Sequence, residues 1–233
     1  MKKWDILMSL EEDNVNEVEQ PAEVPATPEE VPQQEEQGQA IDLGTMGGYF
    51  EQLRQNYFEI KRTMWVVGAI NWEVAIKIIQ RLSFYRTQKE NKEPITIYIS
   101  SPGGECDAGF AIIDAIEELK KFGVEVHTVC CGSCSSMASV ILASGSKGHR
   151  YAFPSSRIMI HQAGIELFGG KLKDIEIVHK ELQIWTDNMN KIFKKQTGKN
   201  LDELKKMIEY DNYMSASEAK KLGLIDKIKT KLI

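Results

Sequence analysis

Ser136 and His161 are the two residues of this chain whose types and surroundings best suggest a catalytic pair. Ser136 follows the small residues Gly132–Ser135 and precedes the apolar run Val140–Ala143, which is typical of a turn that enters a buried helix. His161 follows the apolar, strand-like segment Arg157–Ile160. Because a serine hydroxyl is a poor nucleophile without an adjacent base, a fold that brings the two together would make a serine hydrolase.

Backbone groups near two predicted turns could complete such a site. A serine at the start of a helix leaves the next N–H, that of Met137, free to hold a developing oxyanion. Gly103 and Gly104 follow a predicted strand and allow a sharp turn with N–H groups that face a ligand. A glycine pair usually marks an ordinary turn, and a histidine after a strand is usually a core residue. The hypothesis of a serine hydrolase therefore depends on the serine turn, the histidine and the glycine pair occurring together.

A base histidine also needs a carboxylate that orients it. The downstream candidates are Asp174, Asp187, Asp202, Asp211 and Asp226. Most of them lie within or beside predicted helices, where solvated faces and helix caps are the usual roles of aspartate. Asp211 differs because it lies in Glu209–Met214, an aromatic-rich link between two helices that could pack at the sheet edge. Spacing alone leaves the choice open.

The segments that must position these residues alternate between strands and helices. Short apolar runs predict strands at 63–67, 95–99, 124–130 and 157–160, with shorter strands near 151 and 224–228. Helical periodicity predicts helices at 72–85, 108–122, 136–144, 173–196 and 201–209. The capping-box pattern Ser215–Glu218 opens another helix, which ends at Gly223. This alternation predicts an α/β fold with a mainly parallel sheet and crossover helices.

Charge divides the chain into two unequal parts. The 233 residues carry a formal net charge of −5. Residues 11–36 hold ten acidic and no basic side chains, which leaves the remainder near +5. Four of the seven prolines also fall within 21–32. We therefore expect a disordered acidic tail at 1–47 and one folded domain at 48–233.

Composition argues against several classes of function. The folded part lacks the basic clusters interleaved with aromatic residues that nucleic-acid binders use. No apolar run approaches the length of a membrane helix, and Met1–Met8 is too short and too polar for a secretory signal, so we expect a cytoplasmic protein. Cys131 and Cys134 have C-x-x-C spacing, but no second pair accompanies them. Cys130 and Cys131 lie in an apolar, strand-like segment, so core packing is the favoured role for the cysteines over metal or redox chemistry.

Six segments in order carry more information than any single spacing. They are Ile97–Gly104, Ser135–Met137, Gly145–Tyr151, Pro154–Gln162, Asp174–Ile177 and Asp211–Ala219. In sequence and order they resemble the proteolytic subunit of the Clp protease, over a stretch from about Arg62 to Ile228. The resemblance implies the Clp/crotonase-type fold and a Ser-His-Asp peptidase.

The resemblance also implies a role for each candidate residue. Ser136, the serine directly before methionine, matches the nucleophile, and His161 in Met-Ile-His-Gln matches the base. Asp211 matches the acid that orients this base. Gly104 and Met137 match the backbone donors of the oxyanion hole. The expected chemistry uses neither a metal ion nor a cofactor, and the chain lacks the Gly-Lys-Ser/Thr signature of a nucleotide-binding loop.

The family resemblance further implies an assembly. We expect a homo-oligomer, a heptameric ring that is single or stacked in pairs, with its active sites inside a chamber. Its substrate would be unfolded polypeptide, delivered by an ATP-driven AAA+ unfoldase. Gly169 and Gly170 resemble the glycine-containing strand with which the family holds substrate peptides and joins its two rings.

Departures from the family pattern leave alternatives open. The acidic tail has no counterpart in the housekeeping subunit, and Tyr210 replaces an arginine that contributes to the contact between rings. A diverged or phage-encoded member of the family fits these changes.

One alternative function is that of a phage prohead maturation protease that needs no ATPase. Others are a non-catalytic structural subunit of a mixed ring, against which the intact Ser-His-Asp set argues, and a crotonase-like acyl-CoA enzyme.

Overall fold

The part of the chain that the structure describes folds around a mixed sheet of seven strands. The computed structural model describes residues 48, 51–53, 56–57, 60–165 and 169–231. The strands are β1 (Thr63–Val67), β2 (Ile95–Ser101), β3 (Val126–Ser135), β4 (Arg150–Ala152), β5 (Arg157–Ile160), β6 (Asn212–Ser215) and β7 (Lys227–Ile228). The helices are α1 (Trp72–Thr87), α2 (Cys106–Lys121), α3 (Met137–Ala143), α4 (Leu172–Thr197), α5 (Leu201–Met207) and α6 (Ala216–Leu222). The predicted tail at 1–47 lies outside the described residues.

The sheet is parallel except at one strand. Strands β1, β2, β3, β4 and β7 lie side by side in that order, and every pair among them is parallel. Strand β5 pairs parallel with β3, and β6 pairs antiparallel with β5. Helices connect the parallel strands β1, β2 and β3, so the predicted α/β architecture is confirmed.

Strand β6 is a correction to the sequence prediction, which placed a link between two helices at 209–214. Residues 212–215 instead form a strand along β5. The sequence of this strand is Asn-Tyr-Met-Ser, and its two large apolar residues are adjacent. It therefore lacks the alternation of apolar and polar residues that would have indicated a strand. Pairing with β5, rather than intrinsic propensity, therefore defines this strand.

Strand β3 is longer than predicted and changes partners along its length. Its first half pairs with β4, whereas Ser133–Ser135 pairs with β5. A bulge separates the halves, because Cys130 and Cys134 lie opposite Ile99 and Ser101 of β2. Gly132 within the bulge has φ of +87°, a conformation that favours glycine. The prediction ended this strand at Cys130 because the following Cys, Gly and Ser residues have little strand propensity.

The main core lies between one face of the sheet and the helices. It includes apolar residues of β2, α2 and α3, together with Cys130 and Cys134. Burial of Cys130 agrees with the core-packing interpretation, whereas Cys131 is only partly buried. A smaller cluster, formed by Tyr98, Val129 and Tyr151, lies apart from this core. No helix within the described ranges is long and apolar enough to span a membrane.

An ion pair between Arg150 and Asp226 joins the beginning of β4 to the residue before β7. The side chain of Arg150 at the start of β4 is fully buried, and its Nη2 and Nε donate to the two carboxylate oxygens of Asp226 at 2.7 and 2.9 Å. Asp226 also accepts a hydrogen bond from the N–H of Gly148 at 2.8 Å. This bidentate geometry explains why the sequence retains a charge in the core.

Candidate active site

The pairing of strands β3, β5 and β6 places the candidate residues beside one another. Ser135 pairs with Met159 in parallel register, so Ser136 leaves β3 next to the end of β5. Ile160 pairs with Asn212 in antiparallel register. The residues next in line, His161 and Asp211, are therefore direct neighbours across the β5–β6 ribbon. Ser136 and His161, 25 positions apart, and His161 and Asp211, 50 positions apart, thus meet at one edge of the sheet.

Two hydrogen bonds join the three side chains in a line. Nε2 of His161 lies 2.8 Å from Oγ of Ser136, and Nδ1 lies 2.9 Å from Oδ1 of Asp211. An ionised carboxylate can only accept hydrogen bonds, so it selects the tautomer with the proton on Nδ1. The Nε2 lone pair then accepts the hydroxyl proton of Ser136. This is the arrangement that activates a serine nucleophile.

The backbone at Ser136 holds the hydroxyl in a strained turn. Ser136 has φ of +55° and ψ of −127°, a combination that non-glycine residues rarely adopt. Its N–H donates to the carbonyl of Met159 at 2.9 Å, and its carbonyl accepts from Oγ of Ser139 at 2.6 Å. These contacts fix the turn between β3 and α3, which supports a functional role for the strained residue.

Two backbone N–H groups near Ser136 are available to a ligand. Met137 is the first residue of α3, so its N–H has no acceptor within the helix. The N–H of Ile70 donates to the carbonyl of Gly103 at 2.8 Å, and the N–H of Glu105 donates to the carbonyl of Ile70 at 2.9 Å. The N–H of Gly104, between these two bonds, therefore points away from Ile70. Neither N–H donates a hydrogen bond among those of the described residues. Both could stabilise an oxyanion on a carbonyl attacked by Ser136.

Gly103 brings these two segments together. A Cβ on Gly103 would lie 2.6 Å from Cβ of Ser136 and 3.1 Å from N of Met137. Only a residue without a side chain permits this approach of the glycine loop to the serine turn. The sequence indicated a turn here but gave no sign that Gly103 touches the nucleophile, because the contact joins residues 33 positions apart.

We expect Gly103→Ala to lower kcat/KM for peptide hydrolysis by about 10²-fold, because displacing Ser136 or an oxyanion donor by roughly 1 Å has an effect of that size. Gly123→Ala is the matched control: Gly123 has φ of +88° against +99° at Gly103, but has open space around it. Both variants carry backbone strain, measurable by urea denaturation. Wild-type kcat/KM in Gly103→Ala would contradict the proposed role of the contact.

Neighbouring side chains hold the Asp211 segment in place. The Nε2 of Gln162 donates to the carbonyl of Glu209 at 3.1 Å, and Nδ2 of Asn212 donates to the carbonyl of Met207 at 3.0 Å. The sequence missed Asn212 as a positioning residue, since an asparagine in a predicted link carries no such signal. These bonds flank Asp211 on both sides and fix the carboxylate opposite His161.

Other candidate residues have different positions. Asp226 binds Arg150, and the carboxylate of Asp174 accepts from the N–H of Lys171 at the start of α4, at 3.1 Å. Gly169 and Gly170 are exposed just before α4. Within the described part of the chain, no hydrogen bond joins these glycines to the three aligned side chains, and their assignment to substrate binding stays a prediction.

The family comparison covers nearly all of the folded region. The model of the Clp protease family matches residues 49–231. The chain belongs to the Clp protease family. The resemblance seen in the six sequence segments is thereby confirmed, and the mainly parallel sheet with crossover helices agrees with the Clp protease fold. Membership of this family identifies a Clp-type peptidase, a hydrolase that cleaves peptide bonds.

Proposed function

We propose that this Clp-type peptidase is a serine endopeptidase with Ser136 as nucleophile, His161 as general base and Asp211 as the residue that orients the base. The observation that carries the proposal is the line of two hydrogen bonds, 2.8 Å and 2.9 Å long, that joins these side chains. Ser-His-Asp hydrolases use this connection of nucleophile, base and orienting carboxylate to form and hydrolyse a serine ester.

The proposed reaction proceeds in two steps. His161 takes the Ser136 proton as Oγ attacks the scissile carbonyl, and the N–H groups of Gly104 and Met137 hold the developing oxyanion. His161 then protonates the leaving amine, and the acyl group remains on Oγ. A water molecule gives its proton to His161, attacks the ester and releases the new carboxyl terminus, while the proton returns to Ser136. Asp211 stays ionised throughout.

We further propose that the active sites line the chamber of a ring-shaped homo-oligomer, with seven subunits in the ring. Exposed apolar side chains on α4 support association, since Leu172 and Ile177 leave 71% and 63% of their surface exposed in the single chain. Trp72 and Ile76 on α1 are also exposed. A closed chamber would exclude folded proteins, so an ATP-driven unfoldase would supply unfolded chains, and Gly169 and Gly170 would align them as extended strands.

The proposal predicts selective cleavage of unfolded polypeptide. The purified full-length protein is incubated with a short internally quenched peptide, with a reduced and carboxymethylated protein, and with the same protein in its folded form. We expect internal cleavage of the peptide and of the unfolded protein, and negligible cleavage of the folded protein. Native mass spectrometry should give a mass near seven times the 26.4 kDa of one chain, or twice that value.

Two outcomes would contradict separate parts of the proposal. Release of terminal residues only, from every substrate, would contradict the assignment as an endopeptidase. A monomeric native mass together with full activity on folded protein would contradict the chamber but leave the catalytic residues standing.

A further inference from the structure

A second cluster of reactive side chains lies at the opposite end of β3 from Ser136. His127 lies in β3, and Glu125 precedes it by two residues. Thr128 pairs with Arg150, so His149 and Tyr151 of the β4 segment lie beside the start of β3. Because side chains alternate along strands, Glu125, His127, His149 and Tyr151 share one face of the sheet. Pairing of β3 with β4 thus brings together two of the chain's four histidines.

The ligand atoms in this cluster have the spacing of a metal site. Oε2 of Glu125 lies 3.4 Å from Nε2 of His127 and 3.5 Å from Nε2 of His149. One ligand atom from each of the three residues lies within 4.8 Å of the others. Zinc bonds of about 2.0–2.1 Å in a tetrahedron place neighbouring ligand atoms about 3.3–3.4 Å apart. Two of the three separations are therefore close to the edges of a zinc coordination tetrahedron.

Tyr151 provides the outer contact that metal-bound histidines usually have. Its hydroxyl lies 3.2 Å from Nδ1 of His149. When this nitrogen carries the proton and donates to the hydroxyl, the Nε2 lone pair of His149 is left facing Glu125. A hydrogen bond of this kind fixes the tautomer and ring orientation of a histidine ligand. Tyr151 is itself buried, which limits its movement.

We propose that Glu125, His127 and His149 bind one divalent transition-metal ion of the zinc class, with water as the fourth ligand. Two imidazoles and a carboxylate are a donor set that Zn²⁺ and Co²⁺ accept readily. The site is reachable from solvent, since the side chains of Glu125 and His149 are 54% and 32% exposed. The proposal does not depend on the catalytic assignment, because the cluster lies away from Ser136.

The surroundings set the conditions for binding. The two imidazole rings stack with centroids 4.3 Å apart and planes within 5° of parallel. A shared ion must lie near both ring planes, so binding requires the rings to tilt towards each other. The Lys229 ammonium, 4.2 Å from the Tyr151 ring centroid, opposes binding of a dication.

Titration with CoCl₂ tests the proposal directly. We expect the full-length chain to develop the visible ligand-field absorption of tetrahedral Co²⁺, saturating at one ion per chain, and excess ZnCl₂ to abolish it. His127→Asn and His149→Asn should each weaken Zn²⁺ binding at least tenfold in calorimetry. Tyr151→Phe should weaken it about tenfold, because loss of an outer-shell contact has an effect of that order.

The remaining histidines give matched controls. His179→Asn on the exposed face of α4 and His161→Asn in the catalytic set should both retain wild-type Zn²⁺ affinity. Circular dichroism and metal-free melting verify that every variant is folded, and peptide hydrolysis by His149→Asn should match wild type. Equal affinity in wild type, His127→Asn and His149→Asn would overturn the proposal. Loss of the cobalt signal after thiol alkylation, or in His161→Asn, would also overturn it.

Discussion

Ser136→Ala is expected to lower kcat for peptide hydrolysis by about 10⁴- to 10⁶-fold, the range that follows loss of the nucleophile from a serine-histidine-aspartate set. The hydroxyl is the only group removed. The histidine, the carboxylate and the two oxyanion donors remain, so KM should change little. Steady-state kinetics on an internally quenched peptide measure both constants.

The adjacent serine is a matched control for this substitution. Ser135 lies at the end of β3, and the hydrogen bond to Nε2 of His161 comes from Ser136. Ser135→Ala should therefore retain kcat within a few-fold of wild type. Alanine at 136 inherits the same unfavourable φ as serine, so melting temperatures of the two variants should be close to wild type. Activity retained in Ser136→Ala and lost in Ser135→Ala would contradict the assignment.

Asp226→Ala is expected to lower the free energy of unfolding by about 3–5 kcal/mol, because it leaves an unpaired guanidinium in the core. The Arg150 side chain has no exposed surface, and both carboxylate oxygens of Asp226 accept hydrogen bonds from it. A loss of this size is a large share of the roughly 5–15 kcal/mol that holds a typical domain folded. Urea denaturation followed by circular dichroism measures it.

Two comparisons separate the ion pair from a general effect of the substitution. Asp114→Ala changes an exposed residue in the middle of α2 and should shift stability by no more than about 0.5 kcal/mol. The double variant Arg150→Met, Asp226→Leu removes both charges and should be more stable than Asp226→Ala alone. If Asp226→Ala were no less stable than Asp114→Ala, the buried pair would not have the role given to it.

The contribution of Asp226 also depends on pH. Burial alone would raise the pKa of Asp226, but hydrogen bonds from Arg150 outweigh it and hold the pKa below its ordinary value. A lowered pKa in the folded state means that the unfolded state binds the proton first on acidification. The stabilisation is therefore complete above about pH 4, the ordinary range of an aspartate, and is lost as pH falls through the lower folded-state value. The difference in unfolding free energy between wild type and Asp226→Ala should therefore shrink as pH falls through that value.

The sequence predicted most of the fold because its strong signals are local. Helices such as α1 and α2 repeat apolar residues at helical period, and Ser215 carries both bonds of the predicted capping box. The sequence predictions failed where pairing with a distant strand decides whether a segment forms a strand. Gly132 and its small neighbours continue β3 only because β5 lies beside them, and β6 is a strand only because it pairs with β5.

The same reasoning explains what could be anticipated of the two sites. The serine turn and the histidine after a strand were visible as local patterns, whereas the choice of Asp211 among five aspartates required the family resemblance. The β5–β6 register supplies the physical reason, since it places Asp211 across from His161. His127 and His149 carried no signal, because 22 positions separate them and only the pairing of β3 with β4 brings them together.

The most direct measurement for the catalytic claim is covalent labelling of the assembled wild-type protein with a fluorophosphonate, followed by intact mass and peptide mapping. An activated serine attacks the phosphorus and displaces fluoride, so we expect one adduct per chain, located on Ser136. His161→Asn should slow the labelling strongly, because the base that accepts the hydroxyl proton is gone. A folded, assembled protein that takes up no label, or carries its label on Ser135, would contradict the account.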